Sequence, residues 1–586
     1  MPAGDAFRRP QVDPTEKRTG DHRQREFVRQ PWLTRDGFTE YDEAFLRCYP
    51  AARRRAMSQL LDTLSVPQDD AILEGEAAFT YMVTLRESMV AAATEVAAAY
   101  HSTSWLHLIR RLNPIALAFA ESGVTEYKSD ETERVAENLV GNAQGAVLDL
   151  ASGPVSTDVS MKLARLLALA AMVDSLEGAI RSATKGVKYH VRRNHRPRPF
   201  DSDALRNALD EFDLRGRWNN AEKTPRLDGG SGDDFDGDPP MLAAYRFHHG
   251  LAPDQVWQGP FRAAKPATEP VQFTIRAFTT GDETYAVLGR DGVLATFDDP
   301  GLAASLIVFG NALLHHVLDG ESEAGTSLPH LGTLWRTSHL LLADISDALH
   351  RPAVRDWLAE NGQALLTAAS VLDNIRGLYE HGRRSLPGPV IHELGEDTLI
   401  DVWAYTWHVT DGLKISPHTG GVVANLSAEQ FELAAQALID SSKFAPTPAL
   451  RELRGRTLRL DGRAITDVDA ILLASNKVFL VSCKKFVIRL DYLAGEYTAA
   501  RNARQRLEAA LDEWRERLEV LRRAPRGDNY NLEGYEIDGF IVLPQLVFTP
   551  RSDSRELLRF GDPKLFFTRV ESFDQFAATL EMAGWD

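Results

Sequence analysis

The stretch 463–486, RAITDVDAILLASNKVFLVSCKKF, restricts the fold more than any other part of the chain. Branched and apolar residues fill 465–474 and again 478–486, and Ser475-Asn476 between them makes a two-residue turn. That pattern reads as the two strands of a hairpin. Side chains on a strand alternate faces with a period of two. Asp467 and Asp469 therefore share one face of the first strand. Ser482 and Lys484 share one face of the second, with Phe479, Val481 and Cys483 on the other. Pairing the strands brings carboxylates and an ammonium group together on a largely apolar sheet.

The flanks give this hairpin a setting. Residues 427–443, SAEQFELAAQALIDSSK, read as a helix with a capping box of Ser427 and Gln430. Phe431, Ala434, Ala435 and Leu438 form its apolar stripe at i, i+3, i+4 and i+7. A short strand at 456–460 ends in the turn signal Asp461-Gly462. After the hairpin come a long helix at 496–523 and a further strand at 537–548. The order is helix, three strands, helix, strand.

That order, with Asp469 on one strand and Ser482-Cys483-Lys484 on the next, resembles the PD-(D/E)XK nuclease superfamily of restriction-endonuclease-like fold. VSCKK is similar to the Mrr-like variant, and Ser482 departs from the usual Glu. The resemblance covers 421–586 and implies an α/β domain of order αβββαβ. It implies Asp469 as main metal ligand, the Cys483 carbonyl as a second oxygen, and magnesium (or manganese) as the ion. Lys484 would orient or deprotonate the attacking water, or stabilise charge on the phosphate. Glu432, in the first helix, matches an outer carboxylate of the family. The carboxylate missing at Ser482 would come from Asp467 or Glu496. Arg501 and Arg504, early in the long helix, and Lys485 would contact nucleic-acid phosphates.

Each residue also has a plainer role open to it. Asp467 can end a strand, and Glu496 can favour a helix N-terminus. Glu432 can be a solvated helix residue, and Asp469 with Lys484 a structural ion pair. The long helix can be a surface element laced by pairs such as Glu513–Arg517 and Glu519–Arg523.

Lysine usage sharpens the reading. Only 13 of the 66 basic residues are Lys, and Lys477, Lys484 and Lys485 fall within nine positions. A compact ammonium differs from a planar guanidinium in titration and reach, so Lys484 reads as chosen for lysine chemistry. The whole chain carries a net charge of -17, which argues against a general nucleic-acid coat. The charge is uneven: 421–586 holds 23 basic and 25 acidic residues, so the excess acid lies in the rest. A local basic groove is compatible with that distribution.

The expected architecture is multidomain. Residues 1–40 read as a polar flexible arm, 41–227 as a helical domain, and 228–240 (DGGSGDDFDGDPP) as a linker. Residues 241–420 read as mainly helical with a small β element over 271–297, whose strands are 272–278, 285–288 and 293–297. A long helix is expected over 156–191, and further helices over 302–413. The basic run 185–198 is either a phosphate-contacting arm or a solvated helix end. Two cysteines suit a reducing cytoplasm, and no apolar run is long enough to span a bilayer. No P-loop is present, and the histidines of 302–413 lack metal-motif spacing.

The function expected from the resemblance is a metal-dependent endonuclease cleaving DNA phosphodiester bonds. Its helical modules would engage protein partners, by analogy with restriction or anti-phage defence. The alternative is a degenerate nuclease fold kept as a non-catalytic nucleic-acid-binding or assembly module.

Overall fold

The computed structural model describes residues 40–582, apart from 64–69, 113–115, 118–119, 121–129, 149–154, 193–194, 223–242, 253–254, 259–271, 280–299, 319–326, 329–332, 361, 382–387, 403, 406–407, 409–421, 487–489 and 561. The expected arm, the linker 228–240 and the strands at 285–288 and 293–297 lie outside the described residues. Described residues form a helix-rich chain with several small sheets. None of the described helices is long and apolar enough to cross a membrane.

The first unit contains helices α1 (Glu40–Thr63), α2 (Gly75–Ala97), α3 (Ser102–Arg111), α4 (Asp130–Val140) and α5 (Thr157–Thr184). Helix α5 starts where Ser156 accepts from the Val159 N–H at 3.4 Å. It buries leucines and alanines around most of its circumference, among them Leu163, Leu166, Leu167 and Leu169. A helix apolar on all sides belongs at the centre of a bundle, and α1 and α2 pack on it through Phe45, Tyr49, Met82 and Leu85.

The helix expected to run to 191 stops at Thr184. Gly186 follows at φ 104, a conformation open mainly to glycine. The basic run then becomes strand β2 (Lys188–Arg192), between β1 (Asp70–Leu73) and β3 (Arg198–Phe200) in an antiparallel sheet. Three of its cations meet carboxylates of the chain itself. Lys188 pairs with Glu74, Arg192 with Asp70 at 3.2 Å, and Lys185 with Asp213 at 3.6 Å. The run thus opens at the C-cap of α5 with Lys185 and then, over its described residues, leaves the helix for a strand whose Lys188 and Arg192 are paired within the chain. Helix α6 (Asp203–Glu222) completes this part of the chain.

The middle region holds strands β4 (Ala243–Ala252), β5 (Gln255–Gln258) and β6 (Gln272–Thr279) in the order β5-β4-β6. Helices α7 (Pro300–Leu318), α8 (Ser338–His350), α9 (Pro352–Glu360) and α10 (Ala368–Arg376) follow. The expected continuous helical run is interrupted by β7 (Ser327–Leu328), β8 (Thr333–Thr337), β9 (Ile391–Leu394) and β10 (Asp397–Asp401), ordered β7-β8-β10-β9. These strands have two to five residues, too short for alternation to stand out between helices. One face of this sheet, with Leu334 and Ile400, joins the helical core. The other presents Asp401 and His392 to the first unit.

The last unit begins with α11 (Val422–Asp440), which starts five residues before Ser427. Ser427 is therefore interior to the helix, and the expected capping box with Gln430 does not define its start. After α12 (Pro448–Arg451) come β11 (Thr457–Leu460) and β12 (Arg463–Asp467), joined through Asp461 and Gly462 at φ 51 and 75. The anticipated single strand over 465–474 is broken. Val468 donates to the Arg456 carbonyl at 3.3 Å and accepts from Gly455 N–H at 2.8 Å, so the chain leaves one sheet for another there.

The main sheet has the order β13-β14-β15-β18, from β13 (Ala470–Ala474), β14 (Lys477–Cys483), β15 (Glu536–Leu543) and β18 (Val570–Ser572). β13 and β14 form the expected hairpin, turning at Ser475, whose φ is 57. β15 runs parallel to β14, a connection that needs a crossover. That crossover holds α13 (Leu490–Leu493) and α14 (Tyr497–Arg523). A hairpin of β16 (Leu557–Phe560) and β17 (Asp562–Thr568) precedes β18, and α15 (Phe573–Met582) ends the described chain. Phe479, Val481 and Cys483 pack with Phe431 of α11 and Phe576 of α15. Val478 and Leu480 pack with Leu511, Trp514 and Leu518 of α14. The alternation anticipated along 478–483 is thus realised, with a helical layer on each face. Gly539 lets α14 approach: a Cβ there would sit 3.1 Å from Trp514 Nε1.

Candidate functional site

The site forms where β13 begins and β14 ends. Ala470 pairs with Val481, so Asp469, one residue earlier, stands opposite Ser482. The Cys483 N–H donates to Asp469 Oδ2 at 2.7 Å, and the Ser482 hydroxyl lies 3.5 Å from the same oxygen. The Lys484 N–H continues the sheet by donating to the Val542 carbonyl at 2.9 Å. Ser482 and Cys483 are buried, whereas Asp469 and Lys484 are half-buried.

Two carboxylates share this corner. Burial raises the Asp469 pKa, and the nearby Lys484 ammonium and the Cys483 N–H pull it back. Glu432, on α11, is pushed up to about 7 by burial and by the Asp469 charge; Arg454 and Lys484 oppose the rise. The Cys483 thiol is pushed up by burial, then by the charges of Asp469 and Glu432, and behaves as a packed apolar group. Lys485 is half-buried and lowered to about 8 by burial.

Asp467 and Glu496 lie differently. Asp467 does not share a strand with Asp469; it ends β12, is exposed, and takes a hydrogen bond from the Thr457 hydroxyl. It still raises the Asp469 pKa through its charge, behind burial. Glu496 is the exposed N-cap residue of α14, without a side-chain cap bond. Among the described residues, no three His, Cys, Asp or Glu side chains gather as a metal cluster.

The arginines of α14 divide. Arg515 pairs with Asp553, Arg517 with Glu513, and Arg522 with Asp538 at 2.9 Å. The second expected helical pair forms as Glu519–Arg522 at 2.7 Å rather than Glu519–Arg523. Arg501 lies 6.0 Å from the Tyr497 ring centre, and neither it nor Arg504 has an ion pair among the described residues. Lys477 pairs with Glu536 at 2.8 Å, a structural use of one of the three clustered lysines.

Arg454 was missed in the sequence. It stands among Arg451, Arg456 and Arg459, and spacing does not distinguish it from them. Only the folded path from α12 to β11 brings it to Glu432 and Cys483. No family model, no curated protein and no solved structure matches the chain.

Proposed function

We propose that the C-terminal unit is a metal-dependent endonuclease of PD-(D/E)XK type that cleaves DNA phosphodiester bonds. The observation that carries this reading is the meeting of Asp469 with the Ser482-Cys483-Lys484 strand end, with Glu432 beside them. The element order α11, β11 to β14, α14, β15 supports it.

The donors suit a hard divalent ion. Cys483 and Ser482 engage Asp469 Oδ2 and leave Oδ1 without a hydrogen bond among the described residues. Asp469 and Glu432 repel each other, a repulsion that a cation between them relieves. Asp469 would hold magnesium or manganese with the Cys483 carbonyl, and Glu432 would assist, with water completing the shell. When bound, the ion offsets negative charge on the scissile phosphate and acidifies water. Lys484 then orients the attacking water or donates to the phosphate oxygens as charge builds. Arg501 and Arg504 are the phosphate contacts along α14.

A second reading, a non-catalytic nucleic-acid-binding or assembly module, is favoured by Ser482. A buried hydroxyl occupies the place of the usual carboxylate. Plasmid cleavage by the full chain with magnesium or manganese, beside Lys484→Ala, separates the two. Cleavage by wild type and none by the variant supports the nuclease. Binding without metal-dependent cleavage by either protein supports the module.

A further inference from the structure

We infer that Arg454 holds a nucleic-acid phosphate at this site, as a direct contact to the phosphodiester, an inference that rests on the nuclease reading above. Its backbone is fixed beside the catalytic strand. Leu453, just before it, is buried in the core shared with Val478 and Leu480. Gly455, just after it, donates to the carbonyl of Val468, the neighbour of Asp469, at 2.8 Å. From that position its charge acts on Glu432 and Cys483.

Its neighbours have settled partners. Arg451 pairs with Asp440 at 2.9 Å, and Arg456 with Glu452 at 3.6 Å. Arg454 has no ion pair among the described residues, and its Nε is buried without a hydrogen-bond partner. Buried donors are nearly always satisfied, so an orphan guanidinium nitrogen whose charge acts on Glu432 without pairing with it calls for an acceptor from outside the chain. The guanidinium fork matches two oxygens of one phosphate. A carboxylate ligand fits less well, because Asp469 and Glu432 already crowd the corner with negative charge. Arg454 and Lys484 both lower the Glu432 pKa, so a phosphate held by Arg454 would meet two cations at this corner as well as the carboxylates.

The test uses the full chain as wild type, Arg454→Ala and Arg454→Lys, with a short labelled DNA duplex as probe. Affinity is measured across a salt series with calcium, and single-turnover cleavage with magnesium. Loss of one phosphate contact lowers the slope of log K against log salt by about one. The expected result is that lower slope in Arg454→Ala, with cleavage slowed about a hundredfold and an unchanged thermal midpoint. Arg454→Lys should restore the salt slope but only part of the rate, since an ammonium cannot make the paired contact. Equal slope and rate in wild type and Arg454→Ala overturn the inference and leave the nuclease reading standing. A wild type that binds but does not cut refutes the nuclease reading alone, and the salt slope still decides for or against Arg454. A wild type that neither binds nor cuts overturns both.

Discussion

The Cys483 N–H donates to Asp469 Oδ2 at 2.7 Å, so the end of β14 holds the residue that opens β13. One carboxylate oxygen is committed to the fold, and the other makes no hydrogen bond among the described residues. Asp469→Asn keeps an acceptor for that N–H and removes the charge. The expected outcome is an unchanged thermal midpoint with metal-dependent cleavage lost. A variant that melts normally and still cuts would remove Asp469 from the site.

Ser482 is buried opposite Asp469, with its hydroxyl 3.5 Å from the carboxylate. Ser482→Glu places a second carboxylate in that space. Without metal, a crowded and buried like-charge pair should destabilise by several kcal/mol. With magnesium or manganese the stability should recover by more than wild type gains, because an ion binding only the folded state adds RT ln(1 + [L]/Kd). Melting both proteins in chelator and in metal checks this; equal metal responses would mean that position 482 does not face the ion, and no response in either would refute a cation site. Cleavage by Ser482→Glu should equal or exceed wild type.

Lys484 tests the chemistry separately from the charge. Lys484→Arg keeps the positive charge, but arginine stays protonated and is planar and larger. Cleavage should be lost while affinity for the duplex is retained. Cleavage at the wild-type rate would mean that Lys484 supplies charge alone.

What could be read in the sequence was what depends on neighbours in the chain. The β13–β14 hairpin, its alternation and the helix α14 follow from local pattern, because strand period and turn chemistry act over a few residues. The grouping of Asp467 with Asp469 failed for a non-local reason. Val468 bonds to the 455–456 backbone and splits the stretch between two sheets. Asp467 and Asp469 stand two apart in either case, and no local signal marks the break. Glu432 was legible as a helix residue, but its rise to about 7 depends on burial in the fold and then on Asp469, 37 positions on. The short strands β8 to β10 and the placement of Arg454 near Glu432 depend wholly on tertiary partners.

Between the first unit and the middle region lies a buried ionic triad. Arg110 contacts Glu137 at 2.8 Å and Asp401 at 2.6 Å, all three being fully buried. Arg110→Ala leaves two buried carboxylates facing each other without their cation. Breaking a buried pair in this way costs about 3–5 kcal/mol. Urea denaturation of the full chain should show that loss. Replacing all three residues together, with Arg110→Met, Glu137→Gln and Asp401→Asn, should recover much of it, since neutral groups carry no unpaired charge. A loss below about 1 kcal/mol for Arg110→Ala, the range of exposed ion pairs, would mean the two regions are held by other contacts.

His392 makes the same boundary sensitive to acid. Its Nδ1 lies 3.0 Å from the Ser102 hydroxyl, its Nε2 is buried without a partner, and the ring is fully enclosed. Burial lowers its pKa to about 4, from the usual 6.5; Asp401 opposes the shift, and Arg110 and His101 add to it. Between those values the unfolded chain binds a proton that the folded chain refuses. Stability from this residue is therefore complete above about pH 6.5 and is lost as pH falls toward 4. Burial also lowers the nearby His101, so the two losses run in the same direction. His392→Gln keeps a hydrogen-bonding side chain and cannot be protonated in this range. The expected outcome is that wild type loses more unfolding free energy between pH 7 and pH 5 than His392→Gln. The difference should approach 2 kcal/mol, from about 1.36 kcal/mol per pKa unit. Urea titrations at the two pH values measure it directly. Equal losses in the two proteins would show that His392 is protonated in the folded chain and that water reaches the boundary between α3 and β9.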